Sequence, residues 1–103
     1  MRFLLKATIP VEAGNEMMMD GSLKGKMKSV MDELKPEAAY FTEEGGKRTA
    51  IFIVNISEPS QMPSVAEPLF LNFKADVEFH PVMVPEDLMK AAPAIERIVA
   101  KIK

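Results

Sequence analysis

The sequence predicts an α+β domain in which two strand-helix-strand units are followed by a further helix at the C-terminal end. Three observations carry this expectation. Residues 2–9 alternate between apolar and polar side chains, as a strand with one buried face does. Residues 47–56 are apolar on both faces, and Met19, Leu23, Met27, Val30, Met31 and Leu34 recur at the three- and four-residue steps of a helix. A length of 103 residues suits one domain. Such a chain buries a core of its own, yet a partner subunit would add considerably to it.

In the first strand Phe3, Leu5, Ala7 and Ile9 share one side and Arg2, Leu4, Lys6 and Thr8 the other, and Pro10 ends it. A helix follows between Val11 and Leu34. Asn15 is its candidate N-cap, because an Asn side chain accepts from the first free backbone amides. Gly14, Gly21 and Gly25 each weaken a helix by about 1 kcal/mol relative to alanine, so the first half is expected to be irregular. Pro36 closes the helix. Glu37–Glu43 and Lys47–Ile56 then read as strands joined through Glu44, Gly45 and Gly46, the glycine pair supplying the positive φ of a tight hairpin. Because the second of these strands is apolar all round, it belongs in the middle of a sheet with cover on each side.

Ser57 is expected to cap a short helix whose stripe is Met62, Val65, Ala66 and Leu69, with Pro63 in its first turns and Pro68 stopping or kinking it. Residues 75–84 alternate again, Val77, Phe79 and Met83 against Glu78, His80 and Val82. Pro85 opens the last helix, where Glu86 and Asp87 suit the N-terminal dipole, and Pro93 is expected to divide it. Beyond Pro93, Ile95, Ile98, Val99 and Ile102 form an apolar stripe against Glu96, Arg97, Lys101 and Lys103, which must dock on something.

Two such units in a chain of this size imply the ferredoxin-like βαββαβ arrangement, a four-stranded antiparallel sheet in the order 4-1-3-2 with both helices on one face. Leu4, Lys6, Thr8, Glu78, His80 and Val82 are left on the other face. That face is mixed, and exposing its apolar part costs about 25 cal/mol per Å². A second copy of the chain is the simplest cover.

Composition excludes several classes. A net charge of −2 provides no basic footprint for nucleic acid. Without cysteine there are no disulfides, thiolate metal sites or cysteine nucleophiles, and the default expectation is a reducing cytoplasm. Charge interrupts the N-terminus too early for a secretory signal, and no apolar run approaches the roughly 20 residues of a membrane span, so a soluble protein with no membrane partner is expected. One histidine among scattered acids argues against a metal site. Residues 21–26 have the wrong glycine spacing for a phosphate loop. Met17, Met18 and Met19 point in different directions on a helix, which suits packing rather than convergence on an ion.

The candidate site follows from strand parity. Glu78 and His80 leave the same face two residues apart, and Lys6 on the neighbouring strand joins them, with Tyr40 of the hairpin on the far side. In an enzyme His80 would act as general base or acid, Glu78 would orient it, and Lys6 or Tyr40 would stabilise a developing oxyanion. No redox cofactor is implied. The plainer reading is that Lys6 pairs with Glu78 to keep an interface neutral while His80 bonds a backbone group. Arg48, Thr49 and Asn55 suit capping or solvent roles, or contact with a ligand carboxylate.

The order formed by Ala50–Ile56, a helix beginning near Ser57, Glu67-Pro68-Leu69-Phe70, and Val77–Pro85 resembles the dimeric α+β barrel superfamily, most closely its muconolactone isomerase-like branch. The resemblance covers roughly the second half of the chain. It implies a homodimer pairing its sheets face to face, a small, apolar organic ligand in the space between, and isomerase or cyclase chemistry. The alternative is a non-catalytic binding or assembly module whose polar cluster only sets interface register.

Overall fold

The fully apolar strand lies where its two apolar faces require, inside the sheet. A computed structural model describes residues 1–103. The elements are β1 (Arg2–Thr8), α1 (Val11–Asp20), α2 (Ser22–Leu34), β2 (Ala38–Glu44), β3 (Lys47–Asn55), α3 (Met62–Phe73, entered through a 3-10 turn at Pro59–Gln61), β4 (Asp76–Pro81) and α4 (Pro85–Ile102). Every strand pair is antiparallel and the order is β2-β3-β1-β4, so the fold is ferredoxin-like with an added C-terminal helix. No helix is long and apolar enough to cross a membrane.

The core lies between one sheet face and α1, α2 and α3. Leu5, Phe52, Leu69 and Phe73 are wholly buried there, with Met17 and Val30 closing it from the first two helices. Phe3 meets Phe79 edge to face at 6.1 Å, and Phe41 meets Phe52 at 6.4 Å. Such pairs stabilise somewhat beyond the area they bury. Gly45 and Gly46 have φ of 60° and 79°, the hairpin geometry expected of them.

Several local expectations are corrected. Val11–Asp20 is regular helix that starts directly after Pro10, so Asn15 is not its N-cap. Instead Asn15 Oδ1 accepts a 2.9 Å bond from Arg48 Nη1. Gly14 is held at a close approach, since a Cβ there would stand 2.7 Å from that same guanidinium nitrogen. The weak point of the region is Gly21, whose φ of 80° separates α1 from α2. Ser57 does not cap α3. Its amide and hydroxyl both donate to Gln61 Oε1 in the entering turn.

Neither internal proline ends its helix. α3 runs on to Phe73 past Pro68, whose carbonyl accepts from Asn72 Nδ2, and α4 is continuous through Pro93. A proline forfeits one backbone bond, which the surrounding turns can carry. β4 ends at Pro81, so Met83 is not in the helix-facing set and stands exposed.

α4 decides the outline of the molecule. None of its residues is buried, and the principal extents are 60 × 28 × 20 Å. The nine-residue β3 spans about 30 Å and the 18-residue α4 about 27 Å, so the helix projects beyond the end of the sheet.

Candidate functional site

Strand register arranges the uncovered face as a grid. One row reads His80, Leu4, Ile53, Ala38 across β4, β1, β3 and β2. The next reads Glu78, Lys6, Ile51, Tyr40, and the third Asp76, Thr8, Thr49, Thr42. The face therefore has an apolar centre with polar groups at both edge strands.

A polar chain crosses this grid. Lys6 Nζ stands 2.8 Å from Glu44 Oε2 and 3.4 Å from Glu78 Oε2, and Glu78 Oε1 stands 3.1 Å from His80 Nε2. The structure thus brings His80, Glu78 and Lys6 together. Tyr40 shares their row but lies beyond Ile51, two strand spacings or about 10 Å from Lys6. Its ring is largely exposed at the β2 edge.

Glu44 is the member that the pattern of residues alone did not single out, since it was assigned to the turn. Its signal was available in principle: the two-residue turn places Glu44 opposite Lys47, and it shares strand parity with Tyr40 and Thr42. Its carboxylate reaches diagonally across β3 to Lys6. The bridge passes at the level of Thr49, which is buried, with its hydroxyl donating to the Lys47 carbonyl at 3.1 Å. Arg48 is taken up by Asn15, and Asn55 Oδ1 accepts from the Met1 amino group at 2.8 Å. Arg2 Nε donates to Glu37 at 2.9 Å, closing one end of the face.

The electrostatics follow from these contacts. The hydrogen bond from His80, then the charge and hydrogen bond of Lys6, hold the Glu78 carboxyl below the usual carboxylate range. The hydrogen bond to Glu44 is the main reason that the Lys6 ammonium is held above the usual lysine range. Because the ionised Glu78 only accepts, the contact requires His80 Nε2 to carry a proton and donate it, which leaves Nδ1 as the ring nitrogen without a partner from Glu78. That is the arrangement of a histidine oriented by a carboxylate. No group of three or more His, Cys, Asp or Glu side chains has the convergence that holds a metal ion.

The Glu78 interaction favours the folded state above the pKa that the carboxyl has when unfolded, and it is lost as the pH falls through the lower folded value. Replacing Lys6 with methionine keeps the apolar stem and removes the ammonium. In a carboxylate-detected NMR titration, K6M is expected to move the Glu78 midpoint upward towards the usual range. An unmoved midpoint would show that Lys6 does not act on Glu78 in solution.

The larger concavities lie away from this chain. A groove of about 520 Å³ opens between the α1–α2 bend and β2, lined by Met18, Leu23, Met27, Met31 and Phe41 with Lys24 and Lys28 at its rim. A smaller one of about 450 Å³ lies beside Arg2, Asn55 and Asp87 where α4 departs. Compared with known proteins, the chain matches no family model and no curated protein at a significant level.

Proposed function

We propose that the protein is a cytoplasmic homodimer of the dimeric α+β barrel type, akin to the muconolactone isomerase-like branch, that binds a small organic molecule over its open sheet face. The observation that carries this reading is the Lys6–Glu78–His80 chain set beside Leu4, Ile51 and Ile53 on a face that no helix of the same chain covers. Apolar centre and oriented polar edge are the two ingredients of a small-molecule site. A second subunit closing over them would exclude water and strengthen every charge in the chain.

The chemistry available is proton transfer. His80 Nδ1 takes or returns a proton, Glu78 holds the ring, and Lys6 stabilises an oxyanion that develops beside it, with Tyr40 at the far end of the row. A non-catalytic module is favoured by one observation: Lys6 is already shared between two carboxylates, as a register-setting ion pair would be.

Native mass spectrometry of protein purified without stripping ligands tests the first reading. The expected spectrum is a dimer carrying a small molecule that is released on denaturation. E78Q is expected to weaken retention on the order of tenfold, the worth of one hydrogen bond to a charged group. A ligand-free dimer whose association alone responds to E78Q would establish the module, and a monomer at micromolar concentration would remove both.

A further inference from the structure

The largest concavity of the molecule lies on the other side of the sheet from the Lys6–Glu78–His80 chain. Strand parity sets Tyr40 on the open face and Phe41 on the helix-facing side of β2, the edge strand, where Phe41 stays 59% exposed. The groove beside it exists because α1 and α2 are two helices instead of one. Gly21, at a φ of 80°, turns the chain between them. Across that bend Met18 of α1 and Leu23, Met27 and Met31 of α2 look onto Phe41 around about 520 Å³, a volume within the range of small-ligand sites.

The walls differ in stiffness. Phe41 is held edge to face on the buried Phe52 at 6.4 Å, and Leu23, Met27 and Met31 rest against the core. Met18 takes no part in the core and forms a free lip. The unbranched thioether side chains can change rotamer to follow the outline of an occupant while the aromatic wall stays in place.

The charge along the groove has one sign. Lys24 and Lys28, about one turn apart on α2, are the only charged residues that line it. Asp32 holds Lys28 at 3.2 Å, whereas Lys24 enters no ion pair. Two further acids near this end of the chain are engaged by backbone amides: Asp20 accepts from Ser22 at 2.8 Å and Glu43 from Gly46 at 2.9 Å. An occupant therefore meets an apolar trough with one uncompensated ammonium at its edge. A second copy docking two-fold through the same patch would bring the same cation and no free acid to meet it.

We propose that this groove is a second ligand site, one that takes a monomeric fatty carboxylate with its chain along Met18, Met27, Met31 and Phe41 and its head group at Lys24. Burial of the chain between apolar walls supplies the affinity, and the ammonium selects the head group. A single lysine is a point charge on a flexible stem, which suits a singly charged head. The site shares no residue with the open sheet face, so it forms in a monomer and in a dimer alike.

The nine methionines of the chain supply the readout. In the full-length protein with isotope-labelled methionine methyl groups, dodecanoate below its micelle concentration is expected to shift Met18, Met27 and Met31 saturably. Met83 and Met89, which are exposed and do not line the groove, are expected to stay in place. K24M keeps the apolar stem and is expected to weaken dodecanoate by about two- to fivefold, the worth of an exposed ion pair, and to remove its preference over dodecylammonium. M18E changes an exposed lip residue outside the core and is expected to weaken binding by about tenfold or more, because it opposes the head group and removes apolar wall.

Equal binding of dodecylammonium by the unaltered protein, or K24M without effect, would overturn the carboxylate assignment. No saturable shift, or shifts spread equally to Met83 and Met89, would overturn the site itself. Groove shifts that follow protein concentration before any ligand is added would assign the surface to a second copy. Shifts seen only with phosphatidylglycerol vesicles would assign it to a membrane surface, and either result overturns the proposal.

Discussion

Replacing Phe52 with alanine is expected to destabilise the domain by about 3–5 kcal/mol, the cost of deleting a fully buried aromatic ring and leaving its cavity. Phe52 is wholly inaccessible at the centre of β3. It is flanked by Leu5 on β1 and Ala39 on β2 in the strand register, and Phe41 meets it edge to face. A central strand held by ladders on both sides cannot collapse into the space that the ring vacates. The loss is a large fraction of the 5–15 kcal/mol that holds a domain of this size together. Urea unfolding followed by circular dichroism reads it as a lower midpoint at nearly unchanged slope. A loss below about 1 kcal/mol would contradict the packing described for the helix-facing side of the sheet.

Replacing Pro93 with alanine is expected to act in the opposite direction and only locally. Within α4 the proline withholds the amide that would bond the Met89 carbonyl, and its ring crowds the preceding turn. An alanine there is favoured by about 3 kcal/mol in a helix interior, which corresponds to slower amide exchange by roughly a hundredfold in the turns around residue 93. Because α4 contributes no residue to the core, the urea midpoint of an isolated protomer is expected to stay in place. Hydrogen exchange resolved by residue separates the two effects. A midpoint that rose with the local protection would show that α4 unfolds together with the body of the domain.

The difference between these two substitutions tracks what was legible in the residues. The period-two patterns of β1 and β4 assigned Phe3, Leu5 and Phe79 to one face and Lys6, Glu78 and His80 to the other, because alternation is a property of a strand whatever it pairs with. The two-sided apolar character of β3 placed it inside the sheet for an equally local reason. Pro68 does not stop α3 and Pro93 does not divide α4, because the surrounding turns carry the bond that each proline withholds and both lie within continuous helices. Residue type alone makes Asn15 a cap candidate, whereas in the fold its side chain accepts from Arg48 of β3, which passes close over Gly14.

The sequence by itself determined the order of the strands and of the helical stretches between them, the two faces of the sheet and the membership of His80, Glu78 and Lys6 on one of them, since each follows from the spacing of side chains along a single segment; the break between α1 and α2 at Gly21 and the continuity of α4 through Pro93 did not follow from it. The tertiary structure alone decided that Lys6 takes Glu44 as well as Glu78, 38 residues away in the first case, because that choice depends on the register between separate strands. It also decided that α4 leaves the body with its apolar stripe uncovered. An amphipathic pattern specifies that a face needs a partner, and only the arrangement of the rest of the chain shows that the protomer does not supply one.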